Sequence, residues 1–251
     1  MSAALFLLTG CFVTSSPSSG GSGYADSAPQ PASGGAAKRR VLMPEADSSA
    51  LGTAWGETRE SRVTYENFQR AGSPAGVGAI YYTSQQALRE MGATRAGGSY
   101  ASAGASGVEW AVRSGGSLPL WVAGESASRR WVAGRMGERY SIHVRNTNRY
   151  PVEVVLTVDG LDVMDGKSGA YRKRGYIVRA GSTLQVDGFR QSMGSVAAFR
   201  FSAVADSYAS LRHGDTRNVG VIGIAVFAPK HRPQERNPFP GNGFATPPPA
   251  R

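Results

Sequence analysis

Residues 140–227 set the strongest limit on the fold. Short β-branched and aromatic runs alternate there with Gly, Asp and Asn at intervals of about 8 to 12 residues, the spacing of a sandwich or barrel. The pattern predicts strands at 140–146, 152–158, 176–179, 183–189, 196–202 and 219–227, with a short one at 161–164. Side chains alternate across a strand, so Tyr140, Ile142 and Val144 share one face, and Ser141, His143 and Arg145 share the other, which reads as solvated. The run 152–158 divides in the same way, with Val152, Val154, Leu156 and Val158 opposed to Glu153 and Thr157. The run 219–227 is apolar on both faces and is expected in the middle of a sheet. Asp159-Gly160, Asp165-Gly166, Ala180-Gly181 and Asp187-Gly188 supply the positive φ angles of tight turns. Helical periodicity is nearly absent, so the predicted class is mainly β, with an antiparallel β-sandwich in the C-terminal part.

Composition divides the remainder. The 33 Gly and 14 Pro of the 251 residues gather at the ends and in the middle. Residues 12–46, rich in Ser, Gly, Ala and Pro, cannot bury enough apolar surface to fold and are expected to be a disordered tether. Residues 47–92 read as a small α+β unit. It has strands at 62–68 and 77–82 and a short helix opened by Thr83-Ser84-Gln85-Gln86 and ended by Gly92. It is expected to dock on the sandwich, with Trp55 as anchor. Residues 93–117 have the composition of a Gly-rich linker around the island 108–112. The sandwich domain is placed at 118–228, with edge strands at 118–122 and 130–133. Residues 229–251 hold seven prolines and read as a disordered or polyproline-like tail.

The single cysteine, Cys11, excludes an intramolecular disulfide and a cysteine-based zinc site. It closes Leu8-Thr9-Gly10-Cys11 after a short apolar run, and these four residues resemble the lipobox of bacterial lipoproteins. The resemblance implies that residues 1–11 are a signal segment and that Cys11 is lipidated. It departs from the pattern in having no Lys or Arg before the apolar run. The run is far short of the roughly 20 residues a membrane-spanning helix needs. Phe12, where an Asp would follow the cysteine of a retained lipoprotein, resembles the pattern of lipoproteins sent on to the outer membrane.

A broader likeness lies in Leu51-Gly-Thr-Ala-Trp-Gly-Glu57, Ile80-Tyr81-Tyr82, Val158-Asp-Gly-Leu-Asp162, Arg174-Gly-Tyr176, Ala198-Phe-Arg-Phe-Ser202 and Arg217-Asn-Val-Gly-Val-Ile222. At these points the chain resembles a group of uncharacterised bacterial exported proteins and lipoproteins. That resemblance implies a β-rich exported protein and brings no activity or catalytic residues with it.

The formal net charge of +10 comes mostly from arginine. Arg129, Arg130, Arg172, Lys173 and Arg174 are the candidate anion-binding residues, with Arg135 and Arg139 nearby in sequence. Such clusters suit anionic envelope components such as lipopolysaccharide, anionic lipid or acidic glycans. A plain solvated surface is the competing reading, and no nucleic-acid-binding motif is present. Asp159, Asp162 and Asp165 offer three hard oxygen ligands, but their spacing is not that of a calcium loop and two stand in Asp-Gly turns. Gly166-Lys167-Ser168 lacks the upstream glycine and following helix of a phosphate loop. No Gly-x-Ser-x-Gly elbow occurs, and His143, His213 and His231 have no metal-ligand spacing. Arg200 and Arg217 are expected to pin a sheet edge by pairing with Asp187 or Asp206.

The sequence therefore predicts a lipid-anchored or exported bacterial cell-envelope protein, a non-catalytic β-sandwich binding or structural module without metal or cofactor. Its expected partners are the membrane, through the anchor, and anionic envelope components or envelope proteins. A secreted soluble protein is the alternative location. The alternative function is a hydrolase-like enzyme with a loop site gathering His213, Asp206 and Tyr208.

Overall fold

The computed structural model describes residues 50–123 and 128–231, all within one compact unit. The chain opens with β1 (Leu51–Glu60), β2 (Gly76–Ser84), α1 (Gln85–Glu90), β3 (Thr94–Arg95), β4 (Ala101–Ser102) and β5 (Val108–Ser114). Next come β6 (Gly116–Ser117), β7 (Trp121–Val122), β8 (Arg130–Gly134), β9 (Arg139–Asn146), β10 (Val152–Val158) and β11 (Leu161–Asp162). The last elements are β12 (Tyr176–Val178), β13 (Thr183–Val186), β14 (Gly188–Arg190), β15 (Ser195–Ala203), α2 (Tyr208–His213) and β16 (Val221–Phe227).

These strands form the mainly β, two-sheet sandwich that the alternation predicts. The first sheet runs β1-β15-β9-β5-β4, with β13 also on β9, β14 on β15 and β6 on β5. The second runs β11-β10-β16-β2-β8-β7-β3, with β12 also on β10. Among the described strand pairs β2–β8 is parallel and the others are antiparallel. β16, apolar on both faces, lies between β10 and β2 as expected. The core between the sheets is built from Trp110, Ile142, Val144, Phe199 and Phe201 on one side and Ile80, Val132, Leu156, Ile222 and Val226 on the other. Asp159 (φ 54°) and Gly160 (φ 79°) make the two-residue turn between β10 and β11, the pair of positive φ angles a type I′ hairpin needs.

Four expectations require correction. First, the α+β segment at 47–92 has its strand 77–82 in β2 and its helix in α1, where the Ser84 side chain accepts from Ala87 N as the cap. It has no separate core, however, because β1 is paired along β15 and β2 with β16 and β8. Trp55 is not a docking anchor but a half-exposed residue stacked on Phe189 and tilted against Tyr208.

Second, residues 93–117 are not a linker. β5 lies inside the first sheet between β9 and β4, with Trp110 and Val112 fully buried. The small residues there serve close packing: a Cβ on Gly76 would stand 2.0 Å from the Ala103 carbonyl oxygen.

Third, residues 62–68 are irregular. They run from Val63, whose N–H donates to Met193 O, to the buried Phe68, and the chain then meets the end of β16 at Arg70, which lies over Phe227 and bridges to Pro229.

Fourth, the faces expected to be wet are partly covered. His143 is buried beneath Arg113, 3.5 Å away, and neighbouring Gln185 and Asp187. Its pKa lies below the ordinary imidazole value because of burial and the Arg113 charge. Glu153 is fully buried because the chain at Arg70 and at Arg174-Gly175 folds over it. Its Oε1 accepts from Arg70 Nη1 at 3.3 Å and from Gly175 N at 2.7 Å.

Candidate functional site

Strand alternation assembles an aromatic row on the outside of the second sheet. Ile80 and Tyr82 point into the core, so Tyr81 between them faces out. Val132 is buried, so its neighbour Trp131 also faces out. The β-ladders then place Val221 beside Tyr81, Tyr81 beside Trp131, Trp131 beside Trp121, and Trp121 beside Arg95, in one line across five strands. The Tyr81 and Trp131 rings are 5.0 Å apart with a 37° tilt. The Arg129 guanidinium lies 5.4 Å from the Tyr81 ring centroid and that of Arg95 lies 5.4 Å from Trp121, both in cation–π range.

A groove of about 700 Å³ runs over one end of this row, from Val221 across Tyr81 to Trp131, and Trp121 and Arg95 continue the row beyond it. Tyr81, Trp131 and Val221 form its floor. α1 supplies one side through Ala87 and Glu90, and the turn at Thr216, Arg217 and Gly220 supplies the other. That turn is tied from beneath. Gly220, with φ 87°, donates its N–H to Asp159 Oδ1 at 3.0 Å. The same oxygen accepts the Tyr82 hydroxyl at 2.5 Å, and Oδ2 accepts Thr53 N at 2.8 Å. Thr53 Oγ1 contacts the Tyr82 and Tyr140 hydroxyls at 2.6 and 2.7 Å. Tyr82 gives its one proton to Asp159, so Thr53 donates to Tyr82 and Tyr140 to Thr53. Burial pushes the Asp159 carboxyl up to about 6, and the Tyr82 and Tyr140 phenols are raised by burial and by the Asp159 charge.

The candidate residues of the sequence reading fall in three places. Arg129 lies over the Tyr81 ring, which forms part of the groove floor. Arg130 opens β8 with its side chain alternating to the face opposite Trp131. Arg172, Lys173 and Arg174 lie on the loop before β12. There Lys173 binds Asp165 at 2.6 Å, and Arg174 reaches the Phe68 carbonyl at 3.0 Å and Glu153 at 3.5 Å. Cys11 lies outside the described residues.

The hydrolase trio does not form a relay. His213 Nε2 donates to the Gly166 carbonyl at 2.9 Å, the Tyr208 ring packs on Trp55 and Phe189, and Asp206 is exposed. Arg200 and Arg217 pair with Glu57 and Asp215, each at 2.8 Å, rather than with Asp187 or Asp206. The partners are closer than expected because β1 lies along β15 and Asp215 opens the turn that carries Arg217. Asp159 and Asp162 are buried hydrogen-bond acceptors, and no cluster of metal-ligating side chains occurs among the described residues. The aromatic row itself was missed in the sequence. Its one signal was the recurrence of Trp and Tyr at alternate, outward positions of short strands.

Comparison with family models, with curated proteins and with solved structures found no match.

Proposed function

We propose that this chain is an exported cell-envelope protein of bacteria, held to a membrane by lipid on Cys11, whose β-sandwich is a non-catalytic binding module. The observation that carries the module reading is the aromatic groove: partly exposed Tyr81 and Trp131 rings in register on one sheet face, with the Arg129 guanidinium on Tyr81. Exposed aromatic surface beside fixed cations is characteristic of recognition surfaces, where large rigid side chains bind at low entropic cost. The lipobox-like Leu8-Thr9-Gly10-Cys11 and the Ser/Gly-rich stretch after it support the anchored location. No helix among the described residues is long and apolar enough to cross a membrane.

Intact mass and membrane partitioning of the native protein beside Cys11→Ala test the location. A diacyl or triacyl mass on a chain starting at Cys11, with release of the variant from membranes, is the expected result. An unacylated chain in the culture medium would make it a soluble secreted module, and one retaining Met1 in the cytosol would overturn the envelope reading.

A further inference from the structure

We infer that the groove over Tyr81 and Trp131 binds a polysaccharide whose sugar rings carry carboxylates. The inference rests on the binding-module reading and names the ligand class of that site. Neighbouring strands lie about 4.8 Å apart, so the row from Tyr81 across Trp131 to Trp121 extends roughly 10 Å, long enough to lie under more than one linked sugar ring. The two guanidiniums stand near its ends, Arg129 on Tyr81 and Arg95 on Trp121. Each is held against an aromatic face, which leaves its fork of N–H donors free for a planar carboxylate and reduces the entropy lost on binding. Neither has an acidic ion-pair partner among the described residues.

Trp131, between them, presents an apolar indole to the groove, suited to the C–H face of a sugar ring. The groove carries Glu90, and Gln86 donates to that carboxylate at 2.9 Å. Arg217 on the other wall is paired with Asp215. Net attraction therefore comes from Arg95 and Arg129. Single-stranded nucleic acid also stacks on aromatics, but it needs open ring faces. Here the guanidiniums already lie over Tyr81 and Trp121, which favours a ligand that alternates charge with a puckered apolar ring face.

Affinity electrophoresis of the full chain carrying Cys11→Ala, in gels containing polygalacturonate, alginate, neutral dextran or oligothymidylate, tests the proposal. Polygalacturonate or alginate should retard it and dextran should not. Trp131→Ala and Arg129→Gln should each weaken retardation about tenfold, and Arg172→Gln, on another loop, should leave it unchanged. Arg95→Gln with Arg129→Gln changes only exposed side chains and serves where Trp131→Ala lowers the melting temperature. Absence of retardation by both uronate polymers would overturn the inference. So would retardation indifferent to the groove variants, which marks diffuse polycation binding, or stronger groove-dependent retardation by oligothymidylate. Membrane release of Cys11→Ala is read separately, so failure of the anchoring reading and failure of the ligand assignment are distinct results.

Discussion

The Tyr82 hydroxyl donates to Asp159 Oδ1 at 2.5 Å, joining a core-facing residue of β2 to the turn between β10 and β11. The other carboxylate oxygen binds the backbone of β1 in the opposite sheet, so one buried acid holds both layers and the wall of the aromatic groove. Its ordinary pKa is 3.8, and burial raises it to about 6. Between those values the folded chain keeps a proton that the unfolded chain has released. The contribution of Asp159 is therefore fully present below about pH 4 and declines as pH rises through 6. Urea unfolding from pH 4 to 7 should give a stability difference between the native chain and Asp159→Asn that shrinks with rising pH, by at most about 3 kcal/mol. A difference that grows instead would contradict this assignment.

Thr53 relays the hydroxyl chain. Thr53→Val keeps the shape and removes the acceptor of Tyr140, leaving a buried phenol unpaired at a cost of about 1–3 kcal/mol. Tyr140→Phe in that background should recover part of the loss, because both partners are then apolar. Chemical denaturation of the four members of the cycle measures the coupling, and strict additivity would mean that the hydroxyls act independently.

Glu153 and Arg70 make a different kind of bond. Arg70 also lies 3.9 Å over the Phe227 ring, so its loss removes packing as well as charge. Arg70→Ala should cost about 2–3 kcal/mol, below the roughly 3–5 kcal/mol of a fully unpaired buried carboxylate, because Arg174 stays 3.5 Å from Glu153 Oε1. Glu153→Gln should cost less, since its amide oxygen can still accept from Gly175 N. Its NH2 would occupy the site of Oε2, which has no partner among the described residues. Midpoints and slopes in urea should rank the two variants in that order.

Gly188 is held by geometry. A Cβ there would sit 1.9 Å from the Ala197 carbonyl oxygen, inside the ladder between β14 and β15. Gly188→Ala should lower stability by about 1–3 kcal/mol or more, whereas Gly116→Ala, with open space around it, should melt near the native temperature. Equal melting temperatures for the two variants would show that the β14–β15 contact is looser than its distance implies.

Period and turn chemistry made much of the fold legible. β10 matches the run 152–158 residue for residue, and the Asp159-Gly160 turn follows from two residues that tolerate positive φ. Alternation indicates which side chains share a face but not what lies over that face. Glu153 and His143 were read as wet because Arg70, Arg174 and Arg113, which cover them, come from distant segments. β1 escaped notice because Gly52 and Gly56 interrupt it and its second half is exposed. The Gly- and Ala-rich stretch before β5 read as a linker, since composition does not distinguish small residues that flex from those that let Gly76 approach Ala103. The aromatic row depends on the parallel register of β2 and β8, which brings Tyr81 beside Trp131 across 50 residues of chain. No local rule specifies such a pairing.

The position of β16 also fixes when the molecule can exist. β2 and β10 are both laid against it, and β1 pairs with β15, so the earliest strands find their neighbours among the last to be made. Until Phe227 has been added, the second sheet is in separate pieces. At about 5–20 residues per second of synthesis, β1 waits roughly 7 to 30 seconds for β15, and β2 as long for β16. Non-local β pairing of this kind proceeds in roughly milliseconds to seconds once begun. The chain can therefore hold only partial pairings such as β4–β5, β5–β9 and β10–β12 during its elongation, with the second sheet still divided. It closes into a sandwich only after the last strand arrives.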